Sequence, residues 1–546
     1  MNKLAGFPEY QRAIAKVHLG SCGADQKQLN KPIIAIVNSW NEIVTGHVHL
    51  RTLADQVKKS IIEAGAVPLE FNTIAICDGI AQGHAGMKYV LASRELIADS
   101  IEAMICGHGM FDGMVLLGSC DKIVPGMLMS AARLNIPSIM ITGGPMQHKI
   151  TPKENKEARQ KYIYGEIDED ELLEISKQYY TTAGVCPFLG TANTMCIVAE
   201  SLGMTLPGVS VVPALSEAQE ELVKQTGKRI VELVVKNICP RDIMTKEAFE
   251  NAIVMTLAMG GSLNSVLHIP AIAAECGICL NLHDFDRISR KTPLTARVCP
   301  NSSQYATADL YAVGGTQTIM NELGDLLYRD VQTVNGFTIG ENVQEAPAAD
   351  GIIIRAKDSP FEAEGGIAVL QGNLAPNGAV VKSSAVPEDL WIFEGPAVVF
   401  NSEEECRDAA YQQKIVPGSA VIIRYEGPIG GPGMREMHRS TEILAKIPGI
   451  AIITDGRFSG ASAGLSIGYL TPEAYGGGPI ALVKNGDIIK VDIARRKIDL
   501  CVADDIIKER KAAFIPPEID VKSNFLRLYR ATTQDAYHGA VRKVIE

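Results

Sequence analysis

The chain has 546 residues, too many for one hydrophobic core, so two or more domains are expected. Hydrophobic content of 46% and charged content of 21% are ordinary for a globular protein. Net charge is −11, from 52 basic and 63 acidic residues with no long basic run, which argues against a nucleic-acid partner.

The start, Met1 to Tyr10, lacks the charged-then-apolar pattern of an export signal. No apolar run approaches the roughly 20 residues needed to span a bilayer. The 12 cysteines are scattered rather than packed into a disulfide framework. A cytoplasmic protein with reduced thiols is therefore expected, some of them buried and some free to bind metal.

The first two thirds alternate short β-branched runs with helical stretches. Pro32–Asn38, Met114–Gly118 and Pro137–Thr142 read as strands, each followed closely by a turn or a helix. That rhythm predicts an α/β domain with a largely parallel sheet. Asp168–Gln178 reads as a charged surface helix, and Thr245–Met259 as an amphipathic helix running into Gly260-Gly261. Pro270–Cys276 reads as an apolar helix that begins at its proline.

The texture changes after about residue 340. Gly351–Arg355, Ala368–Leu370, Ala379–Lys382, Ala397–Phe400, Ala420–Tyr425, Ile450–Thr454, Ile480–Val483 and Ile488–Asp492 read as short strands. Gly or Pro punctuates nearly every gap, which predicts a second, β-barrel-like α/β domain. Glu341–Asp350, with its Ala-Pro-Ala-Ala, is the linker candidate, dividing residues 1–345 from residues 350–546.

Four regions place acids, thiols or hydroxyls in Gly-rich turns: Cys77-Asp78-Gly79, Gly118–Lys122, Gly184-Val185-Cys186, and the pair Gly430–Glu436 and Asp455–Gly464. Acids and thiols at several strand ends predict a site at the carboxyl edge of a sheet. Asp78, Asp121 and Glu436 offer oxygen ligands to a hard cation such as magnesium. Cys120 and Cys186 offer thiolates for iron–sulfur chemistry. Taken singly, an Asp-Gly is ordinarily a turn and a lone cysteine ordinarily packing. Cys276-Gly277-Ile278-Cys279 has the C-x-x-C spacing but no second pair, and it lies in an apolar run. Gly460–Gly464 has the G-x-S-x-G spacing, but its serine, Ser462, does not directly follow a strand, as a nucleophile elbow requires.

Long motifs resemble one family. They are Phe71–Ala85 (FNTIAICDGIAQGHA), Ser93–Ser100, Cys120–Met146, Asp284–Pro293, Glu364–Lys382, Arg424–Glu436, Thr454–Gly460 and Thr471–Ile480. In them the chain resembles the family that joins dihydroxy-acid, phosphogluconate and sugar-acid dehydratases. The resemblance implies that Asp78, Asp121 and Glu436 bind Mg²⁺, with Lys122 joining them as a carbamate. It implies that Cys120 and Cys186 hold an iron–sulfur cluster and that Ser459 is the base. The implied reaction converts a 2,3-dihydroxy carboxylic acid to the 2-keto acid. Its expected substrates are 2,3-dihydroxyisovalerate and 2,3-dihydroxy-3-methylvalerate, of valine and isoleucine biosynthesis. A homodimer or dimer of dimers is implied as well.

Two departures from the family pattern stand out. Much of the family carries a cluster cysteine where this chain has Gly46, so the chain resembles the [4Fe-4S] branch rather than the [2Fe-2S] branch. Cys77 and Cys196 remain as candidate third ligands. The runs Cys186–Gly190 (CPFLG) and Met437–Ser440 (MHRS) also differ from the dihydroxy-acid pattern, which keeps a sugar-acid (aldonate) dehydratase as the alternative. A ligand-binding paralogue without catalysis is the other alternative. Retention of Asp78, Asp121, Lys122, Glu436 and Ser459 together argues against it.

Overall fold

The computed structural model describes residues 2–444, 446–458 and 464–543. Its fold is mixed α/β, built around two sheets. The first sheet holds β1 (Ile33–Asn38), β2 (Val67–Asn72), β3 (Gly113–Leu117) and β4 (Ser138–Ile141), in the order β2-β1-β3-β4. Every neighbouring pair is parallel. β1, β3 and β4 are buried throughout, as expected for parallel strands covered on both faces. β2 is the half-exposed edge, and its Pro68 is tolerated there because an edge strand needs fewer N–H donors.

Helices return the chain between these strands. Leu50–Glu63 and Glu217–Lys236 pack on each other and against the sheet. Met87–His108, Ile123–Leu134 and Ser265–Glu275 pack successively on one another. Ile123–Leu134 is buried along nearly its whole length, which suits its run of Ile, Val, Leu and Met. Pro270 lies inside the helix Ser265–Glu275 rather than at its start. That helix begins five residues earlier than the proline suggests, and the surrounding core holds it in place of one lost backbone bond.

The second sheet has eight strands: β5 (Ala368–Leu370), β6 (Gly378–Val381), β7 (Ile392–Phe400), β8 (Ala420–Ile423), β9 (Ala451–Thr454), β10 (Leu465–Thr471), β11 (Ile488–Asp492) and β12 (Lys497–Cys501). Their order is β12-β11-β7-β8-β9-β10-β6-β5. β7 through β10 run parallel, and the flanking pairs are antiparallel. A bridge between Gln371 and Lys497 joins the two edges, so the sheet nearly closes into a barrel. Leu370, Val381, Ile422, Ile453, Ile467, Ile489 and Leu500 belong to its separate apolar core.

Two expected strands are absent. Ile480–Val483 falls in a 3-10 helix, Pro479–Leu482, and Gly351–Arg355 contributes only an isolated bridge through Ile354. β2, β10 and β12 were not anticipated. β10 contains Gly468 and is followed by Pro472, and β2 contains Pro68, so these two carry or adjoin a residue that weakens a strand pattern. No helix among the described residues is long and apolar enough to cross a membrane.

Candidate active site

The carboxyl ends of the two sheets supply one cleft. After β3 the chain turns through Gly118-Ser119-Cys120-Asp121-Lys122 and enters the helix Ile123–Leu134. Cys120 takes a left-handed backbone with φ of 65°, costly for a residue with a side chain and typical of functional turns. Ser119 steadies the turn: its hydroxyl accepts the Gly143 N–H at 2.7 Å. After β2 the chain reaches Cys77 and the short helix Asp78–Ala81.

From the barrel, the loop after β8 brings Glu436, and the segment after β9 brings Arg457; the two meet in a parallel bridge. The loop is held by Asp455, whose carboxylate accepts N–H groups of Tyr425, Glu426 and Ala474. Glu473 accepts those of Ile429 and Gly430. Gly433, with φ of 94°, packs against the Lys88 carbonyl so closely that a Cβ would stand 1.7 Å from that oxygen. Only glycine permits this approach of the loop to the helix Met87–His108.

Asp78, Asp121 and Glu436 each turn one carboxylate oxygen into a group lying within 4.8 Å of one another. Lys122 is buried against them, 2.6 Å from Asp121 and 3.1 Å from Asp78. Arg457, also buried, lies 2.5 Å from Glu436. Asn264 and Gln82 donate to the two Glu436 oxygens at 2.9 Å and 3.2 Å. Asp78 Oδ1 and Asp121 Oδ1 are buried without a hydrogen-bond partner. Burial, then the charge of Asp121, pushes the Asp78 carboxyl well above the usual carboxylate range. Asp121 is held below that range by Lys122, against the effect of its own burial. Three clustered carboxylates, two of them with an orphaned buried oxygen, fit a hard divalent cation.

Cys77, Cys120 and Cys186 line the same cleft, whose volume is about 1190 Å³. Burial, then Cys186 and Cys77, pushes the Cys120 thiol well above its ordinary value. Cys186 is pushed up to about 12 by burial and then by Cys77. Such thiols ionise only beside a cation, so the donor set fits a bound cluster of iron and sulfide. At position 46, a Cβ on the glycine would stand 2.7 Å from Cys120 Sγ. The position at which much of the resembling family carries a cysteine therefore lies directly against Cys120.

The structure thus brings Asp78, Asp121, Lys122, Glu436, Cys120 and Cys186 to one cleft. Ser459 and Ser462 lie outside the described residues. Cys276 and Cys279 do not line the cleft. Arg457, Asn264 and His268 were missed from sequence. His268 Nε2 lies 3.8 Å from Asp121, yet its only local signal is a histidine in an apolar helix. Arg457 had a better one, an arginine inside the Gly-rich turn after β9.

A profile described as the dihydroxy-acid/6-phosphogluconate dehydratase N-terminal region matches residues 31–342. Its C-terminal counterpart matches residues 352–540. The dihydroxy-acid dehydratase of Caldicellulosiruptor saccharolyticus is 48% identical over 543 residues, covering 97% of this chain and 98% of its own. Those of Acetivibrio thermocellus and Methanothermobacter thermautotrophicus are 47% and 46% identical, with the same coverage. On the two profiles and this full-length identity, the chain belongs to the dihydroxy-acid/6-phosphogluconate dehydratase family.

Proposed function

We propose that this chain is a hydro-lyase that removes water from a 2,3-dihydroxy carboxylic acid and yields the 2-keto acid. One observation carries this function: three clustered carboxylates, two of them with an unpartnered buried oxygen, and three cysteines share one cleft between the two sheets. The names of the full-length relatives favour 2,3-dihydroxyisovalerate and 2,3-dihydroxy-3-methylvalerate as substrates, and so a role in valine and isoleucine synthesis.

Asp78, Asp121 and Glu436 would hold Mg²⁺, and Lys122 would join them once carbamylated, since an ammonium repels the ion and a carbamate binds it. Bound there, Mg²⁺ supplies Lewis acidity toward the substrate carboxylate and 2-hydroxyl, which acidifies the C2 proton. Cys120 and Cys186 would hold the iron–sulfur cluster, favoured as [4Fe-4S], which supplies a second Lewis acid for the 3-hydroxyl. Ser459 takes the proton from C2. The C3–O bond breaks, the departing hydroxyl takes up the proton that Ser459 removed and leaves as water, and the resulting enol becomes the ketone. Arg457 fixes Glu436 through a buried ion pair. The chain is proposed to work in the cytoplasm as a homodimer or dimer of dimers.

One observation favours a longer, polyhydroxylated acid. Lys153, Lys156 and Arg159 on the helix Pro152–Ile163, with Arg407 and the paired Glu157 and Glu442, give the cleft a polar, charged wall. A five-carbon branched acid has no use for such a wall. Comparing kcat/KM for 2,3-dihydroxyisovalerate, gluconate, xylonate and arabinonate under anaerobic conditions separates the two. Preference for the branched acid supports the first reading, and preference for an aldonate supports the second.

A further inference from the structure

We infer that Cys77 is the third thiolate of the cluster that Cys120 and Cys186 hold, an assignment that rests on the cluster reading above. A cluster that acts on substrate needs one iron without a protein ligand. Four thiolates leave a [4Fe-4S] cluster no open iron, and two leave more than one, so three protein thiolates suit the chemistry.

The surroundings of Cys120 narrow the choice. Gly46 stands against its sulfur but offers no donor atom. Of the other thiols among the described residues, Cys186, Cys77 and Cys299 line the cleft. Cys77 and Cys120 each immediately precede a carboxylate, Asp78 and Asp121, and oxygens of these two lie within 4.8 Å of each other.

The backbone gives Cys77 a fixed place. It precedes the helix Asp78–Ala81, and its carbonyl accepts the Ala81 N–H at 3.1 Å. Cys77 therefore shares a turn with Asp78, as Cys120 shares one with Asp121. Two adjacent Cys-Asp pairs, each contributing a thiolate and a carboxylate, would set the cluster beside the cation. That adjacency is what a substrate held at neighbouring carbons requires.

The other thiols fit less well. Cys196 is buried within the helix Thr191–Ser201, does not line the cleft, and is engaged by Thr142. Cys299 lines the cleft, but it is hydrogen-bonded with Tyr179 and lies near Lys382 and Lys156. It lies between Val298 and Pro300, with no cation-site carboxylate beside it.

The test uses the full chain, reconstituted anaerobically with iron and sulfide. Iron content and the electron paramagnetic resonance spectrum of the reduced cluster are compared for wild type, Cys77→Ala, Cys77→Ser and Cys196→Ala. The expected result is loss of iron and signal in Cys77→Ala, a shifted spectrum in Cys77→Ser, and no change in Cys196→Ala. Thiol alkylation of the wild type, mapped by mass spectrometry before and after reconstitution, needs no variant. Protection of Cys77 together with Cys120 and Cys186 supports the assignment. A Cys77 that stays reactive in iron-loaded protein, or a Cys77→Ala variant with wild-type iron and spectrum, overturns the assignment alone. A wild type that binds no iron overturns the cluster reading along with it.

Discussion

Replacing His268 with phenylalanine tests how the metal-facing carboxylates are aimed. Arg94 donates from Nη1 to His268 Nδ1 at 3.2 Å. A guanidinium has only donors, so Nδ1 must accept, and the ring proton sits on Nε2. That N–H faces Asp121 Oδ1, 3.8 Å away, and neither atom has a hydrogen-bond partner. Burial, then the charges of Lys122 and Arg94, depresses the His268 pKa well below its usual value, so the ring is neutral. Arg94 itself is fixed by Glu95 and by the carbonyls of Gly539 and Ala540. The C-terminal segment thus sets a tautomer two contacts away. Phenylalanine keeps the ring's volume and removes the N–H. Changes of this outer-shell kind cost about 10–100-fold in metal affinity, or roughly 1.4–2.7 kcal/mol. A separation of 3.8 Å exceeds a hydrogen bond, so the low end, about tenfold, is expected. Calorimetric titration of the metal-free protein with Mg²⁺ reads this directly, with circular dichroism as the folding control. His268→Gln, which retains an N–H donor, should recover part of the affinity. Two folded variants that both bind Mg²⁺ as tightly as wild type would refute the orientation argument.

Asp121→Asn removes a charged ligand and should weaken Mg²⁺ binding by more than the roughly 10–100-fold of an outer-shell change, read by the same titration. Glu473 is pushed up to about 8, chiefly by burial and then by Asp455. A raised carboxyl pKa stabilises the fold most below its unfolded value near 4.5 and loses that contribution as pH rises through 8. Glu473→Gln mimics the protonated group, so its stability relative to wild type should grow from pH 5 to pH 8, by on the order of 1 kcal/mol per pH unit; parallel urea-unfolding curves at the two pH values would contradict this. Ser459→Ala should cut turnover by at least about 100-fold while leaving metal content intact, and should slow deuterium exchange at C2 of bound substrate. Ser462→Ala should cost far less, and the reverse ranking would move the base to Ser462.

The two-sheet α/β architecture could be read from sequence because buried parallel strands are runs of β-branched residues. β1, β3, β4 and β9 fall within two residues of their expected bounds. β2 and β10, which carry proline or glycine, did not announce themselves, and the apolar run Ile480–Val483 fills the barrel core as a 3-10 turn. A short apolar run does not reveal its own period. The carboxylates and cysteines were legible as chemistry-bearing residues in Gly-rich turns after strands. Their convergence was not legible from spacing, since Glu436 lies 354 positions along the chain from Gln82, which donates to it, and farther still from Asp78. His268 and Asn264 look like core residues locally, and only packing of their helix against the turn after β3 reveals their role.

The most direct test of the account is keto-acid release from 2,3-dihydroxyisovalerate by the anaerobically reconstituted chain, with Mg²⁺ present and with it removed by chelation. The dehydratase account predicts release that disappears without Mg²⁺ and is absent in a folded Glu436→Gln variant. Failure to form a keto acid from this substrate or any aldonate, by protein that holds both iron and Mg²⁺, would contradict it.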